Sequence, residues 1–72
     1  MMAVMTLKNL RVEAGMTINR LSQEAGVTPQ SVKRAEQGEL ISPATAKSIA
    51  EALSRLLGRK IRPGDIEGLN IM

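Results

Sequence analysis

The chain is cut at short intervals by residues that start and stop helices, and this punctuation limits its fold more than any other feature. Thr6 precedes LKNLRVEA and Gly15 follows it; Thr17 precedes INRLSQEA and Gly26 follows it; Thr28 precedes PQSVKRAEQ and Gly38 follows it. A hydroxyl placed before a helix accepts a free N–H of the first turn, and glycine tolerates the left-handed conformation that ends one. Ser42 and Pro43 repeat the start for a longer helix, roughly 43–57, which Gly58 closes. Proline just inside a start, as at Pro29 and Pro43, gives up an N–H that has no helical partner there.

Within these segments the apolar residues recur at helical spacing. They are Leu7, Leu10 and Ala14, then Ile18, Leu21 and Ala25, then Ala46, Ile49, Ala50, Leu53 and Leu57. A short fifth helix is expected from Pro63 or Gly64, with Ile66 and Leu69 on the core, and no segment alternates as a strand does. The expected fold class is all-α: a compact bundle of four to five short helices, with no sheet. At 72 residues the chain makes one domain, 1–72, with 1–5 and 70–72 expected to fray. Such a domain hides only about 60% of its unfolded surface, so its core must be economical.

Composition removes several function classes. Cysteine and histidine are both absent, which excludes disulfides and the usual zinc ligands, and no metal or cofactor is expected. Tyrosine is absent as well, and neither a Gly-rich phosphate loop nor a pair of carboxylates flanking a pocket can be found, so no catalytic residues are expected. Asp65 and Glu67 read as charges at a helix start. Without any aromatic residue the chain lacks the platforms on which single-stranded nucleic acids stack. No run reaches the roughly 18 apolar residues of a membrane span, and MMAVM is too short for a secretory signal; a cytoplasmic location is the expectation. Ten Lys/Arg against seven Asp/Glu leave a net charge of +3, a mild bias towards an acidic partner, so the placement of the cations must carry the argument.

That placement is clearest in the third segment. With Val32 and Ala35 inward, residues 29, 30, 33, 34 and 37 form one outward stripe. The stripe holds Gln30, Lys33, Arg34 and Gln37 and no acid. GVT separates this segment from the one before, with Gly26 first, and the small Ala25 and Ala35 permit a close crossing of two helices. The pattern suits a helix-turn-helix; an ordinary corner between two helices uses the same residues for packing alone. Arg11 and Glu36 stand on the inner faces of the first and third segments. A charge on an apolar face needs a partner, and these two are expected to meet.

The stretches LKNLRVEAGMT, LSQEAGVTPQSVKRAEQG and SPATAKSIAEAL resemble the phage-repressor and Cro-like (XRE-type) helix-turn-helix domains, over about residues 7–69. The resemblance implies sequence-specific binding of double-stranded DNA by the third helix in the major groove, and action as a transcriptional regulator such as a repressor. It places base reading at Thr28, Pro29, Gln30 and Arg34, with Ser31 and Lys33 close by. Lys33 is a candidate for a base or a phosphate, and Thr17, Ser31 and Gln37 are candidates for phosphate contact, Thr17 because the free N–H groups at its helix start favour an anion. A pairing of first-helix Arg with third-helix Glu, here Arg11 and Glu36, also occurs in that family. A weak homodimer, formed on DNA, is expected.

Departures from the family pattern favour a protein-interaction module of antitoxin, adaptor or coactivator type as the alternative. Ile18 stands where many relatives carry a phosphate-binding Gln, and Glu39 where many carry a base. Leu40 and Ile41 are expected to plug the core beneath the third helix or to join a dimer surface, and Ile71 and Met72 at the tail to fray or to join a partner subunit. Arg59, Lys60 and Arg62 read as a solvated linker rather than a second DNA contact.

Overall fold

The computed structural model of the protein describes residues 5–72. Four α-helices carry it: α1 (Leu7–Glu13), α2 (Ile18–Ala25), α3 (Pro29–Glu36) and α4 (Pro43–Leu57). Each start is capped as the punctuation requires. The side-chain oxygens of Thr6, Thr17, Thr28 and Ser42 accept the N–H of Asn9, Arg20, Ser31 and Thr45 respectively, at 3.1–3.2 Å. Leu21, Ile49, Leu53 and Val32 are fully enclosed at the centre, where α2 packs against both α3 and α4. Leu7, Leu10, Ala35, Ala46, Ala50 and Ile66 surround them.

The expected fifth helix is reduced to one 3-10 turn, Pro63–Asp65. Helix nucleation fixes several dihedrals for a single hydrogen bond, and the few residues between Gly64 and Gly68 are too short to recover it. Asp65 instead closes the turn by accepting the Arg62 N–H at 3.0 Å. Ile66 is nevertheless buried and Leu69 partly so, as the sequence suggests.

The expectation of no sheet is also corrected, because four two-residue strands form two parallel ladders. β1 (Met5–Thr6) pairs with β3 (Ile66–Glu67), and β2 (Leu40–Ile41) pairs with β4 (Asn70–Ile71). The backbone past the 3-10 turn still needs partners for its N–H and C=O groups, and these extended neighbours supply them. Residues 70–72, expected to fray, are therefore tied down, with the Met72 N–H donating to Ile41 O at 2.9 Å. Met5 is paired too; residues 1–4, the rest of the end expected to fray, lie outside the described residues. In β2 consecutive side chains point to opposite faces, so Ile41 is buried while Leu40 stays 60% exposed. Leu40 does not plug the core.

Arg11 and Glu36 join α1 to α3. Arg11 Nε donates to Glu36 Oε2 at 2.6 Å and Nη2 donates to Oε1 at 3.3 Å, a two-pronged contact. Nη1 donates to the Met16 carbonyl at 3.0 Å, which adds the α1–α2 connection to the same guanidinium. The two side chains are only 13% and 11% exposed. Removing one partner strands a shielded charge, with losses of about 3–5 kcal/mol known for buried pairs, whereas removing both strands none. Denaturant unfolding of Arg11→Met, Glu36→Leu and the double variant should therefore show the double losing less than the summed singles, by about 1–3 kcal/mol. Additive losses would contradict a direct pair.

A second prediction concerns the α2–α3 turn. Gly26 ends α2 at φ 71, and a Cβ built there meets nothing within 4 Å. The penalty for Gly26→Ala is therefore conformational, about 1–2 kcal/mol. Gly26→Asn, which tolerates this conformation better, should lose less in the same unfolding assay, and equal losses would point to packing.

Candidate nucleic-acid interface

The outer face of α3 is accessible along its length. Val32 and Ala35 are buried against the core, and Thr28, Pro29, Gln30, Lys33, Arg34 and Gln37 are all exposed. Pro29 at the first helical position and the Thr28 cap fix the start of this helix. The Ser31 N–H is taken by Thr28 Oγ1, and the two hydroxyls lie 2.9 Å apart, so Ser31 sits half-buried beside the cap. The first turn of α3 thus has a set direction, and Gln30 and Lys33 project from it into solvent.

Between the start of α2 and the first turns of α3 lies an open depression of about 510 Å³. Thr17, Ile18 and Asn19 form one wall, and Pro29, Gln30 and Lys33 form the other, with Arg11 and Met16 behind. Thr17 is exposed at its rim and caps α2 through the Arg20 N–H. The structure therefore gathers Thr17, Pro29, Gln30 and Lys33 at one concavity. It separates Ser31 and Arg34 from them, which line a smaller hollow of about 140 Å³ with Leu40, Ile41, Ser42, Thr45 and Met72.

The sequence marks Glu39 as a departure from the family pattern but does not place it against this face. Arg34 Nε donates to Glu39 Oε1 at 3.2 Å, so the outward stripe, itself free of acids, has an acid beside it. The signal was present in the chain. When a glycine ends a helix in the left-handed form, the residue after it bonds back to the third residue before the cap. Gly38 has φ 81, and the Glu39 N–H donates to the Arg34 carbonyl at 3.0 Å.

Three further arginines are engaged elsewhere. Arg20 and Arg55 both reach Glu24, at 3.1 and 3.3 Å. Arg59 holds Glu13 through two contacts, of 2.8 and 3.1 Å, and so fastens the 58–62 loop to the end of α1. Lys60 and Arg62 are exposed. Among the described residues no group of ligands suited to a metal ion occurs, and no helix is long and apolar enough to cross a membrane.

The helix-turn-helix family pattern matches residues 7–58 of the chain. This stretch runs from the first residue of α1 to the glycine that ends α4, and it contains the whole α2–α3 unit. No curated protein and no solved structure matches the chain.

The Glu13–Arg59 contact yields a pH prediction. The hydrogen bond from Arg59 is the main influence on the Glu13 carboxyl and lowers its pKa; partial loss of hydration opposes it, and the Arg59 charge adds to it. With the folded value below the unfolded one, the unfolded chain binds more protons in the interval between them. The stabilisation is complete above the unfolded value and is lost as pH falls through the lowered one. Between about pH 5 and about pH 3, the unfolding midpoint of Glu13→Gln should fall slightly less than that of the parent. A steeper fall in the variant would contradict the sign.

Proposed function

Because the chain belongs to the helix-turn-helix family, a family of DNA-binding regulators that includes the phage repressors and Cro-like proteins, we propose that it binds double-stranded DNA sequence-specifically through α3. One observation carries the reading: the outer face of α3 is uncovered, with Gln30, Lys33, Arg34 and Gln37 in solvent, while Val32 and Ala35 are its buried side chains and Glu36 ties it to Arg11. A folded chain of this size has little reason to leave a capped, pinned helix so thinly attached unless its outer face has a use.

The chemistry follows the groove. The major groove admits an α-helix, where Arg donates to guanine O6 and N7 while Gln pairs with adenine N6 and N7. Arg34 and Gln30 are the base readers, and Thr28 and Pro29 contact base edges at the start of the helix. Pro29, lacking an N–H, offers apolar contact to a thymine methyl. Lys33 reaches a base or a phosphate. The depression between Thr17 and Lys33 accommodates a phosphate strand beside the groove, where the free N–H groups at the start of α2 and the helix dipole attract an anion. Thr17, Ser31 and Gln37 supply the flanking phosphate contacts that set register.

Two copies are expected on the DNA. The Cα trace spans 31 Å in its longest direction, just under the roughly 34–36 Å that separate half-sites one helical turn apart. One copy therefore covers one half-site, and a regulator built this way needs a weak dimer, formed on DNA, to reach a useful affinity.

A protein-interaction role of antitoxin, adaptor or coactivator type is the second reading. Leu40 and Met72, 60% and 73% exposed and lining one hollow, are the observation in its favour.

Selection from a random duplex pool, followed by salt titration on the winning site, separates the two. DNA binding predicts a palindrome and a binding constant whose logarithm falls linearly with log salt. Lys33→Ala should lower affinity for all duplexes and reduce the salt slope by about one. Arg34→Ala should relax choice at one base pair, at a loss of about 1–3 kcal/mol. No selected sequence, and partner binding indifferent to both changes, would overturn the DNA reading.

A further inference from the structure

We propose that Glu39 is a specificity-determining residue, which holds the guanidinium of Arg34 by its Nε edge and so presents only the terminal nitrogens to a guanine. The inference rests on the DNA-binding reading of α3 and assigns to that reading a residue outside the helix.

The backbone fixes where Glu39 can be. Gly38 turns left-handed at φ 81, the Gly38 N–H donates to Ala35 O at 3.2 Å, and the Glu39 N–H donates to Arg34 O at 3.0 Å. In this closure the side chain after the glycine meets the side chain three residues before the cap, usually through an apolar contact. The same backbone closure ends α1 and α2, where Met16 bonds back to Arg11 and Val27 to Ser22. At those ends the residue after the glycine is apolar and turned into the core. At the end of α3 it is an exposed acid facing a cation. The turn is also pinned from behind, since Asn70 Nδ2 donates to the Gly38 carbonyl and Leu40 pairs with Asn70. Glu39 is thus held by the C-terminal segment as well as by α3.

The hydrogen-bond geometry then selects how Arg34 can act. Nε–H is directed at Glu39 Oε1 at 3.2 Å, and among the described residues neither Nη atom donates to the protein. Guanine offers two neighbouring acceptors, O6 and N7, which two parallel N–H groups satisfy. With Nε occupied, the Nη1/Nη2 end is the edge left for that contact. A long side chain held at one edge also has less freedom to lose on binding. The acid contributes in a second way, because its charge opposes a phosphate approaching Arg34 from the side. Phosphate contact is the part of binding that ignores sequence, so Glu39 widens the gap between the correct site and random duplex.

The pair is exposed and of little consequence for folding, so substitution leaves the fold in place; superimposable thermal unfolding of the variants verifies this. The test measures dissociation constants at one salt concentration for the parent, Glu39→Ala, Glu39→Gln and Arg34→Ala. The duplexes are the selected site and its three changes at the base pair that Arg34→Ala affects. The parent should prefer guanine there by about ten- to a hundredfold. Glu39→Ala should shrink that preference by roughly fivefold or more, leave preferences elsewhere intact and bind random duplex no more weakly than the parent. Glu39→Gln, which keeps an acceptor for Nε, should retain more of the preference than Glu39→Ala. A guanine preference in Glu39→Ala equal to the parent's, whatever the change in overall affinity, would overturn the inference while leaving the DNA reading intact. A preference that survives in Arg34→Ala at every position would instead remove Arg34 as a reader, and Glu39 with it.

Discussion

One guanidinium holds three parts of this domain in register. Arg11 leaves α1, grips Glu36 at the end of α3 with two nitrogens, and closes the α1–α2 connection with the third through the Met16 carbonyl. The arrangement matters because α3 has so little else. Its buried side chains are Val32 and Ala35, and so small an apolar face fixes neither the rotation nor the tilt of a helix closely. A paired charge with satisfied geometry has one good arrangement, which is what a helix needs if its outer face must meet a partner in a defined orientation. Replacement of such pairs by apolar residues elsewhere is often neutral for stability; its value here is in direction.

The rest of the fold makes that economy workable. Small residues at the crossings, among them Ala35, Ala46, Ala50 and Ala52, let helices approach closely without aromatic filling. Hydroxyl caps bond to the first turn of all four helices, and among the described residues four charged contacts link the surface. The two short ladders add little area but tie the chain's extremities to its centre: β3 receives the strand before α1, and β4 receives the strand after α3. Through the second ladder the C-terminal segment supports the turn carrying Glu39, so the far end of the sequence bears on the candidate interface.

How much of this the sequence discloses depends on the range of the forces involved. Caps and glycine stops act over three or four residues, and Thr6, Thr17, Thr28, Ser42, Gly26 and Gly58 mark their helices legibly. The Arg11–Glu36 contact is long in sequence, yet legible, because each charge stands on an apolar face and each needs the other. The ladders were illegible: a two-residue strand has no period, and its partner lies tens of residues away. Met16 and Ile61 are buried from loops, where no spacing announces them. Leu40 and Ile41 look alike in the sequence and differ only because an extended chain sends neighbours to opposite faces. Glu39 falls between these cases. Its position beside Arg34 follows from the Gly38 stop, but only once the stop is read for what it brings together as well as for what it ends.

The central claim is that the uncovered face of α3, with the start of α2, is the surface that meets duplex DNA. Titration of 15N-labelled protein with its selected duplex, followed amide by amide, tests it most directly. The account predicts that the largest shifts fall on residues 17–20 and on Thr28 and 30–37, with smaller ones at Gly38 and Glu39. Shifts concentrated instead around Leu40, Ile71 and Met72, with α3 unmoved, would contradict it.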